Sequence, residues 1–265
     1  MKMLNINEKM NLYDNLTGLQ KKIRRIYIIC PVVGVIITAV FAFLLGGLHP
    51  MLLMIIFASF VLTSVIASKN KKEYSTVYKN LLVREALENT FTDFQFFPSL
   101  GISKNEIIFT DMMQMGNRYY CEDYVKGKYK EVPFEQSDVC IQNVTHTGKT
   151  TNTVTYFRGR WMIFNFNKNF RCDLQVREKG FSYSKRKGGL FTPDDEKMEK
   201  IELEDIDFNN RFDVRGQNIQ EAFYLLTPQI IEAMHNLSEQ TSGRIMFCFV
   251  RNKLHVAVNN GVNSF

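Results

Sequence analysis

Two apolar runs near the start of the chain, residues 26–45 and 51–67, hold no ionisable side chain, and Lys and Arg fence them on both outer sides. The pattern predicts a helical hairpin in a membrane. As helix the first run measures about 30 Å, the thickness of the hydrocarbon core. The second, about 17 residues, lies at the short end of the spanning range. Only Gly46, Gly47, Leu48, His49 and Pro50 separate them, so a tight turn should join two antiparallel neighbours. Lys21, Lys22, Arg24 and Arg25 precede the hairpin; Lys69, Lys71 and Lys72 follow it. Positive charge stays inside, which puts both termini in the cytoplasm, the short loop outside, and the chain in the inner membrane of a cell. A cleaved signal peptide would also begin basic and apolar, but no A-x-A site closes the first run and a second run follows at once.

Small residues recur in steps of four: Gly34, Thr38, Ala42 and Gly46 in one run, Ser59, Thr63 and Ala67 in the other. Each set lies on one helix face, where backbones approach closely in lipid. Packing within the hairpin is the favoured use, and a subunit contact the alternative. Pro31 is expected near the start of the first helix, where a missing N–H matters least. With no charged group inside either run, ion or proton transport has no relay to run on. Ahead of the hairpin, Leu12, Leu16, Leu19, Ile23 and Ile26 are spaced 4, 3, 4, 3, an amphipathic helix within residues 1–25.

The chain carries +6, but the charge is not evenly spread: nine Lys and Arg stand against two Asp and Glu through residue 72, and 24 against 25 beyond it. The basic balance belongs to the membrane flanks, and nucleic acid is not an expected partner. Five dispersed cysteines without a C-x-x-C fit reduced thiols in a cytoplasmic domain.

Residues 73–265 suffice for one domain with a real core, or for two small ones. Helical spacing covers 74–91 and, behind a Ser103/Glu106 capping box, 104–113. The methionines at 112, 113 and 115 are expected in the core. From Tyr119 the period becomes two, with strands expected at 119–125, 128–134, 138–145, 151–157, 161–166 and 172–176. Lys126-Gly127 and Thr147-Gly148-Lys149 read as turns, and Gly159 as a bulge or kink. One or two strands are expected in 198–212. A short piece at 220–226 and a helix opened by Thr227-Pro228 follow, then a hairpin at 244–258. The fold class is α+β: a two-helix transmembrane hairpin, 26–67, ahead of a cytoplasmic, mostly antiparallel β-rich domain, 73–265.

Few residues stand in a pattern that chemistry requires. Thr147-Gly148-Lys149-Thr150 resembles the end of a phosphate loop, but Asn143 stands where the first Gly belongs. Cys140 and His146 share a strand face about 20 Å apart, too far for one metal. Glu202 and Glu204 would share a face about 7 Å apart on an expected strand, a pair more often solvated than catalytic. No G-x-S-x-G, G-x-G-x-x-G or H-E-x-x-H occurs, so no catalytic residue, cofactor or metal ligand is assigned. Lys185, Arg186 and Lys187 form a basic loop, either a contact for anionic lipid headgroups or a solvated loop.

Three stretches carry a family resemblance. They are Cys121-Glu-Asp-Tyr-Val-Lys-Gly127 with Phe134 and Val139; Phe157-Arg-Gly159 with Asn165-Phe-Asn167 and Phe170; and a C-terminal block. The block comprises Glu204-Asp205, Phe208, Phe212-Asp-Val214, Ala222, Leu225-Leu-Thr-Pro228 and the hairpin at 247–258. Together with the membrane hairpin they resemble the bacterial membrane proteins grouped as domain of unknown function 3137, over roughly residues 70–260. Cys121 stands where that pattern leads one to expect Gly. The resemblance implies a bacterial inner-membrane protein with a cytoplasmic domain, and carries no activity or cofactor. The expected role is a membrane-anchored binding or scaffolding domain that meets a protein partner or the lipid surface. The alternatives are a tethered enzyme with dispersed site residues and a membrane-organising homo-oligomer.

Overall fold

The computed structural model describes residues 6–44, 50–88, 91–181 and 198–262. The chain divides into two compact units, Met1–Thr90 and Phe91–Phe265.

The first unit is helical. Helix α1 runs unbroken over Ile6–Leu44 and α2 over Pro50–Tyr78; α2 passes through a π-helical turn, Lys79–Val83, into α3, Arg84–Glu88. Both long helices have the length and composition to cross a membrane. The amphipathic segment and the first apolar run are one helix, so Pro31 lies inside it rather than near its start. Its missing N–H leaves the Tyr27 carbonyl without its i+4 partner, a defect that membrane helices tolerate when neighbours compensate.

One face of α1 is turned inward along its length: Leu16 and Leu19 are buried outside the apolar run, Gly34 and Thr38 within it. On α2 the matching face is Ser59, Thr63, Ala67 and Asn70. A Cβ on Gly34 would lie 2.5 Å from Ser59 Oγ, so the helices cross where there is least side chain. The hydroxyls bond within their own helices: Thr38 Oγ1 donates to Gly34 O at 2.8 Å and Thr63 Oγ1 to Ser59 O at 2.6 Å. The hydroxyl protons of Thr38, Ser59 and Thr63 are all bonded, as a span in lipid would require.

The second unit is α+β. Among the described residues nine strands form one sheet in the order β1-β2-β3-β4-β9-β8-β5-β7-β6, antiparallel at every junction. In chain order the elements are β1 (Thr92–Phe97), α4 (Lys104–Phe109), β2 (Arg118–Tyr129), β3 (Val132–Thr147), β4 (Thr150–Asn165), β5 (Leu174–Glu178) and β6 (Glu199–Ile201). There follow α5 (Ile206–Arg211), β7 (Phe212–Gly216), α6 (Ile219–Leu225), α7 (Pro228–Gln240), β8 (Arg244–Val250) and β9 (Lys253–Asn259). Both faces of the sheet's centre are covered. One packs Val176, Val214, Phe247, Phe249 and Val256 against Phe208, Leu226 and Met234 of the α5–α7 layer. The other packs Ile141, Phe157, Trp161, Met246 and Cys248 against Ile102, Ile107, Met112 and Met113. Double-sided burial is why β8 reads Ile-Met-Phe-Cys-Phe-Val without alternation.

Several expectations need correction. Lys126-Gly127 is not a turn; it lies inside β2, where Gly127 gives room to Phe94, whose Cβ would be 3.0 Å from a Cβ at 127. The turn is Lys130-Glu131, both at positive φ (46° and 67°), a two-residue hairpin turn without the usual Gly or Asn. Between the two expected helices, Thr92–Phe97 is strand β1. Gly159 is not the bulge: the register slips opposite Ile141/Gln142, at Tyr156. Gly159 instead lets β9 approach, since a Cβ there would fall 2.0 Å from Val258 O. β6 ends at Ile201, so Glu202 and Glu204 share no strand, and 206–211 is helix.

The β3–β4 hairpin outruns the sheet. β2 accompanies β3 only to the Arg118↔Gln142 pair, and β9 accompanies β4 only from Gly159↔Asn259. At the base of this arm the Asn117 side chain imitates a strand, donating to Val144 O at 2.7 Å and accepting from Val144 N at 2.8 Å.

Trp161 Nε1 donates to Nδ1 of His255 at 3.2 Å, with both side chains buried. Burial lowers the His255 pKa to about 4 from the ordinary 6.5; Glu106 opposes that shift and Lys253 adds to it. The unfolded chain therefore takes up this proton first. Stability is expected to fall as pH drops from about 6.5 to 4, by up to about 3 kcal/mol, and His255→Gln should flatten that slope. Denaturant unfolding of the detergent-solubilised chain, followed by fluorescence of its single tryptophan, measures both. Gly159→Ala is expected to destabilise by about 2–4 kcal/mol in the same assay, because the Val258 carbonyl cannot retreat without breaking the β4–β9 ladder.

Candidate docking surface

The surface with the most unusual chemistry lies on the α5–α7 layer. Its frame is fixed by short side-chain links. Asp205 caps α5 by accepting from Phe208 N at 2.9 Å, and Phe208 turns inward to stack on Phe212 at 4.6 Å between ring centres. Asn209 brackets Leu203, accepting from its N at 3.1 Å and donating to its O at 2.6 Å. Asn218 caps α6 by accepting from the amides of Gln220 and Glu221. Pro228 starts α7 at the position where a missing N–H is harmless.

Helix α6 has seven residues, of which only Ala222 is buried. Leu225 packs against the core from a half-buried position. Ile219, Phe223 and Tyr224 face water, at 56%, 46% and 69% exposure. A helix apolar on both faces with only one of them covered has a face left to cover.

A cleft lies on either side of α6. The first, about 740 Å³, has Phe208, Leu226 and Ile231 in its apolar lining and Glu204, Asp205, Asp207, Glu232 and His235 among its polar groups. His235 Nε2 is 3.4 Å from Glu239, which also meets Arg211. The second, about 410 Å³, combines Phe166, Phe170 and Tyr224 with Lys168 and Arg171. Its one carboxylate, Glu221, accepts from the Arg171 amide. The carboxylate residues of the first cleft are all exposed, without the burial by which enzymes tune acid–base groups.

A third cleft, about 430 Å³, lies beside Cys140, Asp138 and Arg158. Burial raises the Cys140 thiol pKa despite Arg158, and burial likewise raises that of Cys121, so neither is primed as a thiolate nucleophile. Thr147 and Thr150 flank the tip of the β3–β4 arm, and His146 pairs with Thr151 at 3.0 Å, remote from Cys140. Among the described residues, no three His, Cys, Asp or Glu are grouped to hold a metal ion.

The basic collars are exposed on their helices: Lys21, Lys22, Arg24 and Arg25 on α1, Lys69, Lys71 and Lys72 on α2. They form one band, since Lys71 Nζ lies 4.9 Å over the Tyr27 ring. In the stripe of small residues, Gly34, Thr38, Thr63 and Ala67 are buried, and Ala42 and Ser59 half-buried. Gly46, Lys185, Arg186 and Lys187 lie outside the described residues. Sequence reasoning missed Ile219, Phe223 and Tyr224. Their signal was a seven-residue segment apolar at too many positions for one face.

Residues 155–265 match the family of proteins of unknown function DUF3137, the group that the sequence motifs resemble. The match takes in Phe157-Arg-Gly159 and the C-terminal block, hence α6 and both its clefts. The chain is also similar to a solved structure, the mycobacterial trehalose monomycolate transport factor A, TtfA. That likeness has 10% sequence identity over 64% of this chain and 76% of the other, with a TM-score of 0.41. No curated protein sequence matches.

Asp205→Ala is expected to lower stability by about 1 kcal/mol through loss of the α5 cap, measured as a shift of the denaturant midpoint at unchanged slope.

Proposed function

We propose that this protein is a membrane-anchored interaction domain. The α1–α2 hairpin spans a bacterial inner membrane twice, the arginine–lysine band stays cytoplasmic, and the domain of residues 91–262 works in the cytoplasm with both chain ends. Its task is to dock a protein partner on the α6 surface. The observation that carries this reading is the exposure of Ile219, Phe223 and Tyr224 on one short helix between two clefts. Aromatic anchors beside concave surfaces supply most of the affinity in protein interfaces. The lipid surface suits this site less well, because Glu204, Asp205, Asp207 and Glu232 would meet anionic headgroups. The convergence of those carboxylates with His235 favours a tethered hydrolase as second reading, but all of them are solvated and Asp205 is committed to its cap.

A photo-cross-linking residue replacing Tyr224 in cells should capture a discrete protein adduct, whereas the same residue at Lys104, across the sheet, should not. Equal yields at both positions would refute the docking surface. Protease added to sealed right-side-out vesicles should leave the fragment from residue 91 onward intact; its digestion would refute the topology.

A further inference from the structure

We infer that the partner docked at α6 is a second copy of this chain, joined about a two-fold axis along the helix. This rests on the reading of α6 as a docking surface, and adds the identity of the occupant. Across the surface the order is cationic cleft, apolar ridge, anionic cleft. Lys168 and Arg171 lie on one side, Ile219, Phe223 and Tyr224 on the crest, Glu204, Asp207 and Glu232 on the other. All eight side chains belong to exposed residues.

A half-turn about an axis lying along the crest exchanges the two flanks. Each copy then offers its cations to the other's carboxylates while ridge meets ridge, which is the geometry of an isologous interface. A partner with a rim of one sign would match one flank and clash with the other. The surface supplies its own complement. The apolar crest gives the affinity, and the two charged flanks fix the orientation and disfavour other partners. Glu221 keeps its charge in this cleft, so Lys168 and Arg171 leave the flank with one net positive charge.

The test is the oligomeric state of the full chain in detergent, followed by sedimentation across a dilution series. The wild type should be a dimer. Lys168→Glu with Arg171→Glu should weaken it by at least ~10-fold, as should Glu204→Lys with Asp207→Lys, and 0.5 M salt should weaken the wild type likewise. The four substitutions combined should bind at least ~3-fold more tightly than Lys168→Glu with Arg171→Glu alone, because the new lysines face the new glutamates while Asp205 and Glu232 stay acidic. All four positions are exposed, so unchanged denaturant midpoints identify folded variants. Phe223→Ala with Tyr224→Ala should abolish the dimer without reversing any charge. A monomer at every concentration, a dimer indifferent to both reversals, or failure of the combined variant to recover would each overturn the proposal. The cross-link at position 224 separates the two levels. An adduct with a different protein overturns the second copy and leaves the docking surface standing; no adduct removes both.

Discussion

Phe247 points into one core and Cys248 into the other, and every element of the second unit is placed by that division. An antiparallel sheet commonly keeps one face wet. Here β8, β9 and the inner parts of β3–β5 need cover on both. The segment from Ile102 to Met115 supplies it on one side, and α5, α6 and α7 on the other. The Trp161–His255 hydrogen bond follows from the same constraint, since both polar rings are held where water does not reach. The α5–α7 layer is made of short helices linked by side-chain caps, so it follows the twist of the sheet at the expense of continuity. Gaps between short helices become clefts, and a helix too narrow to bury two faces becomes a ridge.

Much of this was legible in the sequence where local physics decides. The apolar runs, the charge fences and the small-residue steps fix the hairpin without reference to anything distant. Thr227-Pro228 opens α7 and Gly148-Lys149 closes the β3–β4 arm because capping and turn chemistry act within a few residues. The domain's α+β character emerged from the shift of hydrophobic period at Tyr119. The match over residues 155–265 lies where the sequence motifs were densest.

The failures have a common cause. Lys130 and Glu131 take positive φ because the long strands on either side force a tight connection, and nothing in their own chemistry announces it. Gly127 signalled a turn but serves a close approach by β1, a non-local reason invisible in a window of ten residues. The expected Glu202–Glu204 pair assumed a strand reaching past Ile201, where β6 ends ahead of the Asp205-capped helix. The ridge on α6 was hidden for the same reason: exposure depends on which face the sheet covers, and that is settled by residues on strands distant in sequence, such as Met162, Val176 and Phe249.

The long α1 rod has one further consequence. At about 1.5 Å per residue its 39 residues reach nearly twice the thickness of a hydrocarbon core, and α2 with its continuation runs back beside it. Since the two antiparallel rods share one buried stripe, neither can change length alone without rotating its stripe off the other. Insertions or deletions in such a stalk are tolerated only as matched pairs, in steps that return the stripe to the same side. The hairpin thus behaves as a ruler with two coupled scales, and its calibration is a property of neither helix by itself.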